Sequence, residues 1–347
     1  MVSERLSPAR TTAIPPLLDL SVVLPVHNEE ESLPRLHEAL TDTLTEYGRS
    51  YEIVFIDDGS RDGSFAVLAA IQARDPHVRV IRLRRNFGQT AAMSAGFRYA
   101  RGRVIVPMDA DLQNDPADIP RLIAKIEEGY DVVSGWRVDR QDHFLSRRLP
   151  SIFANWLIGR VTGVRLHDYG CSLKAYRAEV VKNVPLYGEM HRFIPALASW
   201  YGARIAELPV SHHARRFGKT KYGIGRTFHV ILDLITVKFL LSFSTQPLHI
   251  FGFWGALCLL SGFAISGYLA VMRIFFHQEL SRRPLLLLGV LLISTGIQFI
   301  SMGLLAEMVA RTYHESQDKP IYVVRDTLGF GADSSRVVTL ENSGRTA

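Results

Sequence analysis

The chain has 347 residues and a net charge of +6, enough length for one sizeable α/β domain and a further module. A basic balance suits nucleic acid, phosphate ligands or an anionic membrane surface, but no basic low-complexity arm, zinc-finger spacing or RNP-type motif is present, which argues against a nucleic-acid partner. Only two cysteines occur, Cys171 and Cys258, which argues against a disulfide framework and fits a reducing cytosolic face.

Met1 to Leu18 is polar and carries prolines, and it reads as a disordered leader with no apolar signal segment. From Leu20 the pattern alternates. Ser21–Val26 is a first strand and Glu30–Tyr47 a helix; Glu52–Ile56 is a second strand and Ser64–Arg74 a helix. Val78–Leu83 is a third strand and Ala91–Ala100 a helix. Arg103–Met108 is a fourth strand, Pro116–Glu128 a helix with proline at its start, and Asp131–Ser134 a fifth strand. This alternation predicts a mainly parallel sheet with helices on both faces. After Arg137 two amphipathic helical stretches follow, Leu145–Thr162 and Gly225–Leu241; each can lie in a membrane interface or pack on the sheet as a surface helix, and the interface is favoured for Gly225–Leu241, which runs straight towards the first apolar run. Two apolar runs, Leu248 to Phe276 and Pro284 to Val309, are each long enough to cross a bilayer. The expected organisation is a leader over 1–18, a catalytic domain over 19–222, a juxtamembrane helix over 223–246, two transmembrane helices over 247–310 and a cytoplasmic tail over 311–347.

Polar residues stand just past the ends of the predicted strands: Asn28 and Glu29, Asp57 and Asp58, Asp109 and Asp111. Open α/β sheets bind ligands at that edge. No G-x-G-x-x-G follows the first strand, which disfavours a dinucleotide. Asp109-Ala110-Asp111 places two carboxylates on one side of an extended strand end, where they can share a hard divalent cation, Mg²⁺ or Mn²⁺, that also takes diphosphate oxygens. Asp58 can accept hydrogen bonds from a base or ribose, or cap the turn that Gly59 allows.

Pro25-Val26-His27-Asn28-Glu29, Asp57-Asp58-Gly59-Ser60, Asn86-Phe87-Gly88-Gln89 and Asp109-Ala110-Asp111-Leu112-Gln113, in that order, resemble the motifs of family 2 glycosyltransferases of GT-A fold. More narrowly the chain resembles the polyprenyl-phosphate branch, which includes dolichyl-phosphate mannose synthase and bacterial undecaprenyl-phosphate sugar transferases. The resemblance spans about Ser21 to Val324, and Asp168-Tyr169-Gly170-Cys171 with Phe193-Ile194-Pro195 look like the aminoarabinose-type members.

That resemblance implies a set of roles. Pro25, Asn28, Glu29 and Asp58 would line the nucleoside pocket, with Asp109, Ala110, Asp111 and Gln113 at the metal and diphosphate. Arg215 and Lys221 would reach the donor diphosphate, and Arg137, Arg147 and Arg148 the acceptor phosphate. Asp111, Asp168 and Arg148 form the expected catalytic set, with Asp168 either a base or the orienter of an arginine. A phosphate monoester is largely dianionic at neutral pH and already a nucleophile, so cations that gather two anions matter more than a base. Arg215–Tyr222 reads as a basic loop over diphosphate or a membrane contact, and His212 and His213 read as structural.

The implied activity is inverting transfer of a sugar from a UDP- or GDP-sugar to a polyprenyl phosphate, with the catalytic domain on the cytoplasmic side of the inner membrane and a homo-oligomer plausible by analogy. Arg282 and Arg283 between the runs oppose the positive-inside rule, while Lys238, Arg311, Lys319 and Arg325 support it. The rivals are a processive polysaccharide synthase, whose usual Q-x-x-R-W motif is missing, and a non-catalytic membrane scaffold that binds lipid-linked sugar.

Overall fold

The computed structural model describes residues 18–138, 149–186, 188, 190–213, 247–277, 284–316 and 320–330. The chain divides into two compact units, Met1–Val230 with Pro320–Ala347, and Ile231–Lys319.

The first unit is built on one eight-stranded sheet. Its strands are β1 (Leu18–Val26), β2 (Tyr51–Asp57), β3 (Val78–Leu83), β4 (Gly102–Pro107), β5 (Val132–Arg137), β6 (Lys174–Arg177), β7 (Ile205–Val210) and β8 (Val324–Leu328). The spatial order is β7-β5-β6-β4-β1-β2-β3-β8. β3, β2, β1 and β4 run parallel, with Val22 opposite both Ile53 and Val106. β1 and β2 are apolar on both faces because both faces are covered, which is why they read as runs and not as alternation.

The helices are α1 (Leu33–Tyr47), α2 (Ser64–Gln72), α3 (Gln89–Tyr99), α4 (Ile119–Glu127), α5 (Leu149–Thr162), the single turn α6 (Ala178–Val181) and α7 (Ile194–Trp200). α1 buries Leu33, Leu36, Leu40 and Leu44, one stripe of a 3.6-residue period, and ends at Gly48 in the left-handed region. At about 1.5–3 kcal/mol per buried leucine, that stripe supplies most of its hold on the sheet. α3 is different: Ala91, Ala92, Ala95 and Gly96 let it lie close on the sheet. A Cβ at Gly96 would come within 2.2 Å of Val23. This close seat carries the start of α3 to the carboxyl edge of the sheet.

Three strands depart from the sequence expectation. β6 is antiparallel to both β4 and β5, and so wedges an inverted strand into an otherwise parallel run. β7 then pairs parallel with β5. The segment 311–347, expected as a tail, returns residues 324–328 as an antiparallel edge strand on β3. The first helix begins at Leu33 and not at Glu30, because Glu29 and Glu30 are used in turn contacts described below and Ser32 Oγ donates to the Glu29 carbonyl at 2.9 Å. The expected helix 145–162 is described from Leu149, and the expected helix 223–246 lies outside the described residues.

The second unit is a hairpin of α8 (Pro247–Phe276) and α9 (Pro284–Ser316). Both are long and apolar enough to cross a membrane. They pack antiparallel through glycines seven residues apart: a Cβ at Gly255 would lie 2.9 Å from the Gly296 carbonyl, and one at Gly262 the same distance from that of Gly289. Small residues at these positions let the two backbones approach closely. Phe253, Leu260 and Leu287 point outward, each more than 60% exposed.

Candidate active site

The connections of β1 and β4 leave the sheet in opposite directions, so the crevice between their carboxyl ends is the switch point where open α/β sheets bind ligands. Parallel strands bring their ends there. β6, being antiparallel, brings its beginning, and the turn 168–173 therefore joins the same edge.

The loops after β1, β2 and β3 form one wall. Asn28 stands at φ 56, a conformation asparagine tolerates, and its side chain accepts from Arg61 N at 2.8 Å. The Asn28 and Glu29 amides donate to Ser60 Oγ and Ser64 Oγ, and the Glu30 carboxylate takes the Gly63 amide. His27 donates from Nδ1 to the Asp58 carbonyl at 2.9 Å, which leaves Nε2 to accept from Asn86 at 3.1 Å. The Asp58 carboxylate accepts from Phe87 N at 2.7 Å and Gly88 N at 2.9 Å, one amide on each oxygen. Burial raises its pKa against the pull of those amides. Asp58, which the resemblance places at the nucleoside pocket, thus also braces the 86–88 loop. Gly59 sits at φ +63 with backbone directly above it, so that a Cβ would fall 2.4 Å from the Arg85 carbonyl carbon. Asp57 caps the turn by accepting from Ser60 N, with Arg82 3.4 Å away.

Beyond β4 stands the carboxylate pair. Asp111 is buried and accepts from Gln113 N at 3.2 Å. Asp109 accepts from Gln89 Nε2, at the first position of α3, at 2.7 Å. Burial, and then the charge of Asp111, push the Asp109 carboxyl up; the Ser172 hydrogen bond, Arg137 and Lys174 act in the opposite sense. Leu112 follows at φ 60, a left-handed conformation that costs a branched residue about 1–3 kcal/mol. Strain of this kind is retained where the surroundings over-determine it, and here it turns the chain sharply behind Asp111.

On the other side Arg137, at the end of β5, grips Asp168 with both arms, Nε at 2.7 Å and Nη2 at 3.0 Å. Asp168 also accepts from Gly170 N, and its own amide is held by Glu207. Burial lowers the Arg137 pKa, but Asp168 outweighs it and the guanidinium stays charged throughout the accessible range. His212 Nε2 lies 3.4 Å from Arg137 Nη1, and His212 bridges to Asn114 just past the carboxylates. Lys174 is buried and donates to the carbonyls of Cys171 and Tyr169, which ties the turn that holds Asp168 at one end and Ser172 at the other. Burial drives its pKa down. His191 meets Thr90 at 2.8 Å, and burial, with Arg192 and Lys174 nearby, depresses its pKa to about 3, so the ring is neutral.

Asn28, Glu29, Asp58, Asp109, Asp111, Gln113, Arg137 and Asp168 all stand at or behind this edge, with Pro25 and Ala110 in the backbone that carries them. Arg147, Arg148, Arg215 and Lys221 lie outside the described residues. Gln89, Ser172, Lys174, His191 and His212 were not anticipated. Gln89 closes the Asn86–Gln89 motif, and Ser172 and Lys174 adjoin Asp168; His212, which the sequence reads as structural, lies beside Arg137.

Among the described residues no three His, Cys, Asp or Glu side chains are placed to enclose a metal. Two hard carboxylates at one strand end offer a partial set, which a ligand's oxygens would have to complete. The arrangement can hold two anionic groups side by side, one at Asp109 and Asp111 through a cation, the other at Arg137.

The model of glycosyl transferase family 2 matches residues 21–184. A dodecaprenyl-phosphate galacturonate synthase from Rhizobium johnstonii is 46% identical over 312 residues, covering 89% of this chain and 92% of that protein. Among solved structures, glucosyl-3-phosphoglycerate synthase from Mycobacterium tuberculosis with Mn²⁺, UDP and glucosyl-3-phosphoglycerate shares the fold, with a TM-score of 0.50 and 19% identity, covering 64% of this chain and 80% of that one. The same enzyme with Mn²⁺ and UDP-glucose gives a TM-score of 0.50 at 19% identity, over 64% of this chain and 79% of that one.

Proposed function

The chain belongs to glycosyl transferase family 2, and from that premise we propose that it transfers a sugar, with a hexuronic acid as the first candidate, from a nucleotide donor to a polyprenyl phosphate in the membrane. The carboxylate pair Asp109 and Asp111 at the switch point, facing the Arg137–Asp168 pair, is the observation that carries this reading. The galacturonate synthase relative supports the lipid acceptor and the uronic acid.

Asp109 and Asp111 fit a divalent cation: both are hard donors, and their mutual repulsion in a poorly solvated site is what a cation relieves. Mg²⁺ or Mn²⁺ bound there would neutralise the departing diphosphate. Gln89 and Ser172 orient Asp109, and the wall of residues 27–30, 58–64 and 86–88 receives the nucleoside.

Arg137 draws in the acceptor phosphate. An oxygen of that dianion attacks the anomeric carbon as the bond to the diphosphate breaks, and the configuration inverts. No proton need be removed from a dianion, and Asp168 has its oxygens committed to Arg137 and Gly170. Asp168 therefore serves as the residue that aims Arg137. Arg148, Arg147, Arg215 and Lys221 remain proposed phosphate contacts, and α8 and α9 are proposed to span the inner membrane with the catalytic unit on the cytoplasmic side.

The test is a panel of labelled nucleotide sugars, led by UDP-galacturonate, given to membranes with undecaprenyl phosphate and Mn²⁺ or Mg²⁺. A labelled lipid monosaccharide that vanishes with EDTA is expected. Label found only in protein, polymer or soluble glycan overturns the acceptor assignment.

A further inference from the structure

We propose that residues 320–330, which follow the apolar hairpin in the chain, position the nucleotide-donor wall through β8. The inference rests on the donor-site reading above and adds a distant part of the chain to it.

The path is short. β8 pairs with β3 from Val80 opposite Leu328 to Leu83 opposite Val324, with a register shift between Arg82 and Leu83. Past that shift the Val323 carbonyl accepts from Arg84 N at 2.9 Å, one residue beyond the end of β3. Arg84 opens the loop whose Phe87 and Gly88 amides hold Asp58, whose Asn86 meets His27, and which runs into Gln89 on Asp109. A strand that only covered an exposed edge could stop with β3; this one bends to hold the loop that leaves it.

The segment is anchored firmly enough to serve. The Phe330 ring lies 3.5 Å from the Arg79 guanidinium and meets Tyr99 edge-on at 5.5 Å. Gly329 stands at φ +76, where a Cβ would be 2.7 Å from the Val78 carbonyl. Tyr322 is buried, and Asp326 lies 3.7 Å from Arg82.

Because the Arg84 side chain is exposed, its N–H can be removed nearly alone. In full-length enzyme in nanodiscs, Arg84→Ala should keep both Michaelis constants within about twofold of wild type, as surface changes usually do. Arg84→Pro should raise the KM for UDP-galacturonate about tenfold, the size of one backbone hydrogen bond, and leave that for undecaprenyl phosphate unchanged. Hydrogen exchange at Phe87 and Gly88 should quicken in Arg84→Pro, and more weakly in Phe330→Ala, which lies outside the loop. Exchange at 87 and 88 unaltered in both variants, or Arg84→Pro matching Arg84→Ala, overturns the proposal. Faster exchange in both variants, with UDP-galacturonate giving wild type no protection at 86–88, upholds the strap and overturns the donor reading instead.

Discussion

The two edges of the sheet each draw a carboxylate away from solvent, Glu52 buried and Asp109 half-buried, and they treat it in opposite ways. At the amino edge Glu52 accepts from Ser21 Oγ at 2.6 Å, Arg101 N at 2.6 Å, Arg79 at 2.7 Å and Arg101 Nε at 3.1 Å. Burial pushes Glu52 up, yet these partners outweigh it and hold the carboxyl below its ordinary value. At the carboxyl edge burial and Asp111 prevail, and Asp109 is pushed up. A buried charge supplied with its partners is structure; one set beside its like fits the cation proposed above.

Substitutions at each edge test that contrast. Asp111→Asn should cut turnover by at least about 1000-fold, since it removes stabilisation of the departing charge, while the unfolding temperature does not fall. A stable, active variant would end the assignment of the carboxyl edge. Glu52→Gln should do the reverse: it leaves Arg79 buried without its counter-charge and costs about 3–5 kcal/mol in denaturant unfolding, with turnover of the folded enzyme near normal. Its pH dependence sharpens the point. The folded pKa lies below the ordinary 4.5, so the stability that Glu52 contributes is complete above 4.5 and disappears as pH falls through the folded value. Wild type and Glu52→Gln should thus converge in acid and separate towards neutrality.

Asp168→Asn should lower kcat/KM about 100-fold by letting Arg137 drift, and the loss should resist a rise in pH, unlike the loss of a base. Ser172→Ala should give the smallest effect, about two- to tenfold, the value of one hydrogen bond to Asp109. If Ser172→Ala exceeds Asp168→Asn, the turn 168–173 serves the carboxylates more than the arginine.

The first five strands and the carboxylate motif were legible because continuous apolar runs and polar strand ends are local signals. β6 was not: Lys174–Arg177 is four residues of mixed polarity, and nothing local reveals that it enters the sheet inverted. With it went the choice of arginine for Asp168 to orient, since the contact with Arg137 joins residues 31 apart and depends on that inversion. β8 was hidden for a related reason. Val324–Leu328 is a half-exposed edge strand with charges at Arg325 and Asp326, and its partner lies far back in the chain. Glu52 and Arg79 sat inside apparent apolar strands, where a sheet's amino edge leaves no mark. Asp58 was legible as a site but not as a brace, since its partners come from the loop of another strand.

The late arrival of β8 sets a clock. At roughly 5–20 residues per second, a ribosome that has finished β3 needs roughly 12 to 50 seconds more to reach Val324, and the whole hairpin is made in that interval. With α8 and α9 inserted as proposed, the open flank of β3 waits as a bare ladder until both helices are in place. The same proposal requires residues 324–328 to return to the side of the sheet they complete, so an insertion error that strands one helix would leave β3 without β8.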